Sequence, residues 1–283
     1  LNKMKKLFIY GFGYTAKNFV EQFNNDFSQI ISSTRNKEII KNGSNFSDLI
    51  NNSNIPKYFI DNDFTHVLIT APPNDDGDPF YLNFKKLITK LKNIQWIGYL
   101  SATNVYGDHE GRYVDETSAT LPLTQKGKNR LLAENQWIAY CKDLELPIHV
   151  FRIAGIYGPD RNIIKRIQEK KALDLVSTSQ FFSRIYIDDL VNVLRSSMLK
   201  PNPFSIYNIA DDLPSSLDDI IELVCHEMKI SKPDKIINQT KAARNSFLEN
   251  KKVDNSLMKN ELGIELKYAT YSEGYKKIIE SIL

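Results

Sequence analysis

A glycine-rich turn near the start of the chain constrains its fold more than any other feature. The apolar run Leu7-Phe8-Ile9-Tyr10 leads directly into Gly11-Phe12-Gly13-Tyr14-Thr15-Ala16, and apolar residues at helical spacing follow. This is a GxGxxA pattern in the order strand, turn, helix. The first glycine allows the tight turn, the second lets a ligand approach the backbone, and the alanine keeps helix and strand close. The pattern predicts that the helix N-terminus binds the phosphates of a dinucleotide.

Short apolar runs later in the chain predict further buried strands, because they lack the polar alternation of a half-exposed strand. Including the first strand, the predicted strands cover residues 6–10, 29–32, 66–70, 96–101 and 148–153. Helical spacing occurs between most of them, at residues 16–23, 80–91 and 126–144. Strand alternating with helix predicts the α/β class, with a doubly wound, Rossmann-type parallel sheet.

This regular alternation ends after Pro159, where the elements become more irregular. A lysine- and asparagine-rich stretch, at about residues 229–255, precedes the closing helices. We therefore predict a dinucleotide-binding domain over residues 1–160. The later segment 181–210 is predicted to belong to this domain as well. Residues 161–283 are predicted to form a smaller C-terminal substrate lobe.

The bulk composition is that of an ordinary folded protein. Of 283 residues, 42% are hydrophobic and 25% are charged, which excludes a disordered or fibrous chain. The 37 Lys and Arg residues and the 34 Asp and Glu residues are scattered, so we expect no nucleic-acid partner. No apolar run is long enough for a signal peptide or a membrane span, and Cys141 and Cys225 form no ligand motif. These features predict a cytoplasmic protein without a membrane partner.

The residues after the second predicted strand favour NADP over NAD. An NAD site carries Asp or Glu about 20 residues after the glycine turn, to hold the ribose 2′-hydroxyl. This chain has Ser32-Ser33-Thr34-Arg35 there. The Arg35 guanidinium can pair with a 2′-phosphate, and Thr34 or Ser33 can donate a hydroxyl. The alternative is that Arg35 is an ordinary solvated charge. A flavin would also fit the turn, but no other feature supports one.

The end of the predicted strand at residues 66–70 supplies further candidate cofactor contacts. Small residues at Ala71, Pro72 and Pro73 would let the cofactor's ribose lie against the backbone. Residues 74–78 are predicted to be a mobile loop, and the alternative is a proline-rich turn.

His109 is the one histidine whose position suits chemistry. It lies in the segment Gly107-Asp-His-Glu-Gly-Arg112, over the predicted site, whereas His66, His149 and His226 occupy strand and helix positions that favour structural roles. Acidic residues nearby could suggest a metal, but their spacing matches no ligand pattern, so no metal is predicted. A solvated lid is the simpler interpretation.

Several motifs together resemble the extended short-chain dehydrogenase/reductases, also called the NAD-dependent epimerase/dehydratase family, which includes nucleotide-sugar epimerases and dehydratases. They occur in family order over about residues 5–210. The matching stretches are residues 11–16, Tyr99-Leu-Ser-Ala-Thr-Asn-Val-Tyr106-Gly107, Arg130-Leu-Leu-Ala-Glu134, Arg152-Ile-Ala-Gly-Ile-Tyr157-Gly158-Pro159 and Ile185-Tyr-Ile-Asp-Asp189. The resemblance implies a small-molecule substrate, such as a sugar or nucleotide sugar.

The resemblance also implies a catalytic relay, which this chain lacks. In the family a Tyr, a Lys four residues later and a Ser or Thr act together. The corresponding positions here hold Lys126, Arg130 and Ala102. Gly155 stands where an Asn helps to hold nucleotide-sugar substrates. The chain is therefore similar to the atypical branch, whose members keep the dinucleotide turn and lack the usual tyrosine.

Other residues could replace the missing relay. Thr103 could supply a hydroxyl, and Tyr106 or Tyr157 a phenol, although no motif assigns them and both tyrosines also suit scaffold roles. Arg130 is predicted to bond the nicotinamide ribose. The full set of predicted cofactor-binding residues is Gly11, Gly13, Tyr14, Thr15, Ala16, Thr34, Arg35, Ala71, Pro72, Pro73, Ser101 and Arg130.

Two functions follow from this pattern. The first is an NAD(P)-binding oxidoreductase of the atypical epimerase/dehydratase type, with unconventional acid/base groups. The second is a catalytically silent protein that senses NADP or acts as a scaffold. The sequence leaves the substrate, the oligomeric state and the pathway open.

Overall fold

The computed structural model describes residues 5–36, 38, 40, 47–169, 173–175, 180–233, 235–237 and 249–283. Within the lysine- and asparagine-rich stretch, residues 234 and 238–248 lie outside this description. The chain divides into two compact units. Unit 1 comprises Leu1–Ser101, Asn129–Phe151 and Val191–Tyr207, and unit 2 comprises Ala102–Lys128, Arg152–Leu190 and Asn208–Leu283. The predicted domain bounds, 1–160 and 161–283, stay a prediction.

The helices and strands alternate over the first half of the chain, as the apolar pattern predicts. They are β1 (Lys6–Tyr10), α1 (Tyr14–Phe23), β2 (Gln29–Thr34), β3 (Asp48–Asn51), α2 (Ile55–Asp61), β4 (His66–Ile69), α3 (Pro79–Ile88), β5 (Trp96–Ala102), β6 (Tyr113–Val114), α4 (Gln125–Asp143) and β7 (Ile148–Ile153). The remaining elements are β8 (Gly155–Tyr157), α5 (Ile164–Gln168), β9 (Leu173–Leu175), β10 (Arg184–Tyr186), α6 (Ile187–Leu199), β11 (Ile206–Ile209), α7 (Leu217–Met228), β12 (Lys235–Ile237), β13 (Lys252–Val253), α8 (Ser256–Leu262) and α9 (Tyr271–Ile282).

The central sheet has seven strands in the order β11-β7-β5-β4-β1-β2-β3. Its defined pairs, β1 with β2 and β4, β2 with β3, and β4 with β5, are all parallel. Strand residues on both faces are buried, since Leu7, Phe8 and Ile9 are all inaccessible to solvent. This arrangement confirms the predicted α/β class and Rossmann-type sheet. In the part of the chain that is described, no helix is long and apolar enough to cross a membrane.

Aromatic side chains form much of the core of unit 1. Phe8 packs edge-on against Phe59, with ring centroids 4.8 Å apart, and Phe80 stacks on Trp137 of α4 at 6.1 Å. Cys141 lies one turn beyond Trp137 and is also buried. Since i and i+4 positions share a helix face, this apolar stripe holds α4 against the core. Both cysteines are free and buried, as predicted for small core residues.

Three elements of the sheet region were not predicted from the sequence. β3 is short and begins and ends with polar residues, α2 has only seven residues, and α6 follows β10 without a break.

The predicted mobile loop at 74–78 is a closed turn, in which Asn74 and Gly77 exchange backbone hydrogen bonds of 3.0 and 3.1 Å. The turn ends at Asp78, whose side chain is buried and caps α3 by accepting from Tyr81 N at 2.8 Å. The mobility of residues 74–78 stays a prediction, and the prolines of the alternative, Pro72, Pro73 and Pro79, flank this turn.

Candidate functional site

A cleft of about 290 Å³ lies in unit 1, at the carboxyl ends of β1, β2 and β4. These ends meet at one edge of the sheet because the strands are parallel. Its lining includes Gly11, Gly13, Thr34, Arg35, Ala71 and Pro72, all from the predicted cofactor-binding set. The structure therefore brings together the glycine turn, the residues after β2 and the residues after β4.

The two glycines of the turn serve different needs. Gly11 has φ of 98°, and an added Cβ would lie 2.9 Å from Thr70 Oγ1 and 3.0 Å from Ala71 N, so the protein's own packing requires glycine there. Gly13 has an ordinary extended backbone, and no atom lies within 4 Å of an added Cβ. The space beside Gly13 faces the cleft, and it lets a ligand come close to the backbone.

The N-terminus of α1 is open to an anion. Gly13 is its N-cap residue and provides no side-chain hydrogen bond, and the first turn has no acidic residue. Thr15 and Ala16 are buried, while Tyr14 is half-buried. Uncapped N–H groups and the helix dipole both favour negative charge at this position.

Two buried polar atoms of the cleft wall lack hydrogen-bond partners among the described residues. They are Ser33 Oγ and Asn52 Oδ1, and both residues line the cleft. The amide of Asn52 donates to Tyr10 Oη at 3.4 Å. Because buried polar groups are nearly always hydrogen-bonded, such atoms mark where a ligand's polar groups would bind. Sequence reasoning missed Asn52 because it missed β3, which immediately precedes it.

Arg35 is exposed at the rim of this cleft. Over the described ranges it forms no hydrogen bond or ion pair, so its guanidinium remains available to a ligand. Thr34 is buried, and its Oγ1 accepts from Asn36 N at 3.1 Å. The hydroxyl proton of Thr34 is not used in that bond and can still be donated.

Pro73, Ser101 and Arg130 do not line the cleft. The Ser101 hydroxyl donates to the buried carboxylate of Glu134, which gives this serine a structural contact. Arg130 is half-buried on α4, and its Nη1 donates to Leu100 O at 2.5 Å and to Tyr99 Oη at 3.4 Å. These bonds fix Arg130 against β5, and its ribose-binding role stays a prediction.

The two candidate catalytic tyrosines are buried in unit 2. Tyr106 Oη donates to Asn208 Oδ1 at 2.7 Å and accepts from Arg152 Nη1 at 3.1 Å, and burial raises the pKa of Tyr106 to about 12. Tyr157 stacks on Tyr275 at 5.1 Å, and burial raises its pKa also. A phenol with such a pKa gives up its proton poorly near neutral pH. These contacts fit the scaffold alternative for both residues.

Comparison with known proteins adds to this geometry. No protein-family model matches the chain. A conserved protein of unknown function from Silicibacter pomeroyi is 33% identical, with 98% of this chain and 99% of that chain covered and a TM-score of 0.91. An uncharacterised UDP-glucose epimerase, YtcB of Bacillus subtilis, is 27% identical over 118 residues, which are 39% of this chain and 37% of that protein.

The fold is also that of a dTDP-glucose 4,6-dehydratase from Bacillus anthracis, solved in complex with NAD. The two chains are 18% identical with a TM-score of 0.80, over 98% of this chain and 96% of that chain. In its fold and over the matched stretch of sequence, the chain resembles the NAD-dependent epimerases and dehydratases. The match to YtcB spans little more than a third of that protein's length.

The structure gives the surroundings of the predicted relay positions. Lys126, which is predicted to stand at the position of the family's tyrosine, is exposed. The adjacent Gly127 is buried, and an added Cβ there would lie 2.7 Å from Asn104 O. Of the three candidate catalytic residues, Thr103 lines a pocket of unit 2.

The histidines of the chain do not form a site. His66 and His149 are buried, and burial lowers the pKa of each to about 4. His109 Nε2 lies 3.1 Å from Tyr106 O and 3.2 Å from Ala119 O, so this nitrogen carries the proton and holds its loop in place. Among the residues with described positions, no group of three or more His, Cys, Asp or Glu side chains could hold a metal ion.

Proposed function

We propose that the chain is an NAD(P)-binding, epimerase/dehydratase-like oxidoreductase of the atypical type, and that NADP binds in the unit 1 cleft. The observation that carries the proposal is the open N-terminus of α1 beside Gly13, with Arg35, which no described residue pairs with, at the rim of the same cleft. The bound cofactor would supply hydride transfer, and the protein would supply binding and orientation.

The cleft residues suit the parts of a dinucleotide. The N–H groups at the start of α1 would bind the pyrophosphate, to which Gly13 leaves access. Ser33 Oγ and Asn52 Oδ1 would pair with polar groups of the adenosine half. Arg35 would pair with the 2′-phosphate, because it stands where an NAD site carries a carboxylate. The similar B. anthracis dehydratase holds NAD, so the NADP preference rests on Arg35 alone.

A sugar or nucleotide sugar is the proposed substrate class, supported by the similarity to a UDP-glucose epimerase. Interconversion of UDP-glucose and UDP-galactose is not expected, because position 126 offers an exposed lysine and Gly155 offers no side chain. An assay that separates the two nucleotide sugars after incubation with NADP or NAD tests this. Clear turnover would show that the relay positions are misassigned.

The second candidate, a catalytically silent NADP-binding protein, is favoured by the buried state of Tyr106 and Tyr157. Deuterated NADPH distinguishes the two functions. The purified chain is incubated with this cofactor and a panel of sugars and oxidised sugar derivatives, and products are examined by mass spectrometry. Deuterium in any product supports the oxidoreductase, whereas NADPH binding without transfer supports the silent protein. Absence of any dinucleotide binding would overturn both.

A further inference from the structure

A polar pocket of about 240 Å³ lies within unit 2, and it shares no lining residue with the cleft of unit 1. Its lining comes from four separate parts of the sequence: Thr103 and Asn104, Gly155, the segment 181–184, and Glu249 with Lys251 and Val253. Pockets that bind drug-sized ligands have volumes of roughly 300–1,000 Å³, so this pocket is smaller than they are. A ligand confined to it would be small.

The pocket contains a buried ion pair with an unused oxygen. Lys251 Nζ lies 2.9 Å from Glu249 Oε2, and the two side chains are only 9% and 5% exposed. The same Nζ donates to Gly107 O at 3.0 Å. Glu249 Oε1 has no hydrogen-bond partner among the described residues. Burying a carboxylate is costly unless its oxygens are hydrogen-bonded, so this oxygen marks the position of a ligand's donor.

Asn104 provides a second acceptor in the same pocket. Its Oδ1 is buried and also has no partner in the described part of the chain. Lys251 has three protons and donates two of them to described residues, so, in the described part of the chain, one remains for an acceptor. The pocket therefore offers two acceptors and one donor, which is the pattern that hydroxyl groups satisfy.

The charged groups of the pocket are already engaged within the protein, which disfavours strongly charged ligands. Glu249 and Lys251 neutralise each other, and Arg184 Nη1 is engaged by Phe182 O at 2.9 Å and Ser215 Oγ at 2.7 Å. A phosphate would meet the free oxygen of Glu249, and an ammonium group would meet Lys251 and Arg184. Phe181 and Phe182 add apolar surface, against which the carbon face of a ring could pack.

We propose that this pocket binds a neutral, polyhydroxylated molecule of monosaccharide size, recognised by Glu249, Lys251 and Asn104. Gly155 lines the same pocket and presents no side chain where the resemblance expects an asparagine that holds nucleotide sugars. The substrate class is thereby narrowed from nucleotide sugars to free sugars or polyols. This inference rests on the proposed function in one respect, namely that the ligand is the substrate. Binding of the ligand itself needs no cofactor.

The test uses the full chain without added cofactor and a matched series of probes. Glucose, galactose and myo-inositol are the neutral probes, and glucose 6-phosphate and glucosamine carry one added charge of each sign. Saturation-transfer NMR and calorimetry measure binding. At least one neutral probe is expected to bind in the millimolar range, and the charged derivatives at least about tenfold more weakly.

Variants show whether binding occurs in this pocket. Glu249→Gln leaves Lys251 without its counter-charge and could unfold the chain, so the double variant Glu249→Gln/Lys251→Met removes both charges together. Asn104→Ala removes the second acceptor without any change of charge. Each folded variant is expected to bind the neutral probe at least about tenfold more weakly. The matched control is Glu222→Gln, which breaks the exposed Lys232–Glu222 pair and should leave binding unchanged.

Three results would overturn the inference. The charged probes could bind as tightly as the neutral ones, or no neutral probe could bind even at tens of millimolar. The third is that binding is unchanged in both the folded double variant and Asn104→Ala. Calorimetry with NADP is performed on the same samples. If hexose binding is present while no dinucleotide binds, the proposed function fails and this inference stands.

Discussion

The cleft of unit 1 and the pocket of unit 2 offer different kinds of groups to a ligand. In the cleft, the groups proposed to bind are the backbone of the glycine turn and the N-terminus of α1, which come from one continuous stretch. In the pocket, the groups proposed to bind are side chains from segments more than a hundred residues apart, such as Asn104 and Glu249. Backbone recognition leaves a local sequence signature, whereas side-chain recognition across distant segments leaves none.

The largest expected effect tests whether the cleft depends on backbone access. Gly13→Thr places a β-branched side chain in open space, so the fold should be kept, and threonine is as good an N-cap as glycine. Its hydroxyl would cap the N–H groups that the pyrophosphate needs. We expect dinucleotide affinity to fall about a hundredfold or more, measured by calorimetry.

Gly11→Ala is the control for this variant, because its Cβ would lie 2.9 Å from Thr70 Oγ1 and the backbone has positive φ. It should destabilise the protein by about 1–3 kcal/mol in chemical denaturation. If Gly13→Thr binds normally, or if it loses as much stability as Gly11→Ala, the two glycines do not have the separate roles assigned to them.

The pH dependence of the free energy of unfolding tests whether the buried Asp211 of unit 2 is protonated in the folded protein. Asp211 is only 1% exposed, and burial raises its pKa to about 8, although the positive charge of Arg184 opposes this. With the folded pKa above the unfolded value, the stability from its bound proton is present at low pH and is lost as the pH rises towards 8. Relative to Asp211→Asn, the native chain should lose about 2 kcal/mol between about pH 6 and pH 8.

Thermal or urea unfolding of both proteins at the two pH values measures this difference. Asp211→Asn keeps the shape of the side chain and removes its titration, so the other titrating groups cancel in the comparison. A difference in stability that does not change with pH would mean that Asp211 is already ionised in the folded protein.

A smaller effect concerns Arg130, whose predicted role is to bind the cofactor's ribose. Arg130→Met keeps the apolar stem and removes the donors, so NADP affinity should fall about tenfold. Its bonds to Leu100 O and Tyr99 Oη are lost as well, so circular dichroism must confirm that α4 is intact. The neighbouring variant Leu132→Met, at an exposed position of α4, is the control. Unchanged binding in a folded Arg130→Met protein would limit the site to the glycine turn and the sheet.

The sequence predicted the parts of the fold that depend on continuous apolar runs. β1 and β7 have the predicted bounds, and Gly11, Gly13 and Arg35 meet in one cleft as expected. β3 was missed because its ends are polar, and Asn52 was missed with it. Glu249 and Lys251 carry no local motif, and only the folded chain shows that they form a buried pair beside Asn104.

The central claim is that the unit 1 cleft binds NADP through Arg35. Calorimetric titration of the native chain and of Arg35→Ala with NADP and with NAD tests it most directly. The account predicts that the native chain prefers NADP, and that Arg35→Ala loses at least about tenfold in NADP affinity, or about 1.5–3 kcal/mol, with little change for NAD. Equal affinities of the native chain for NADP and NAD would contradict it.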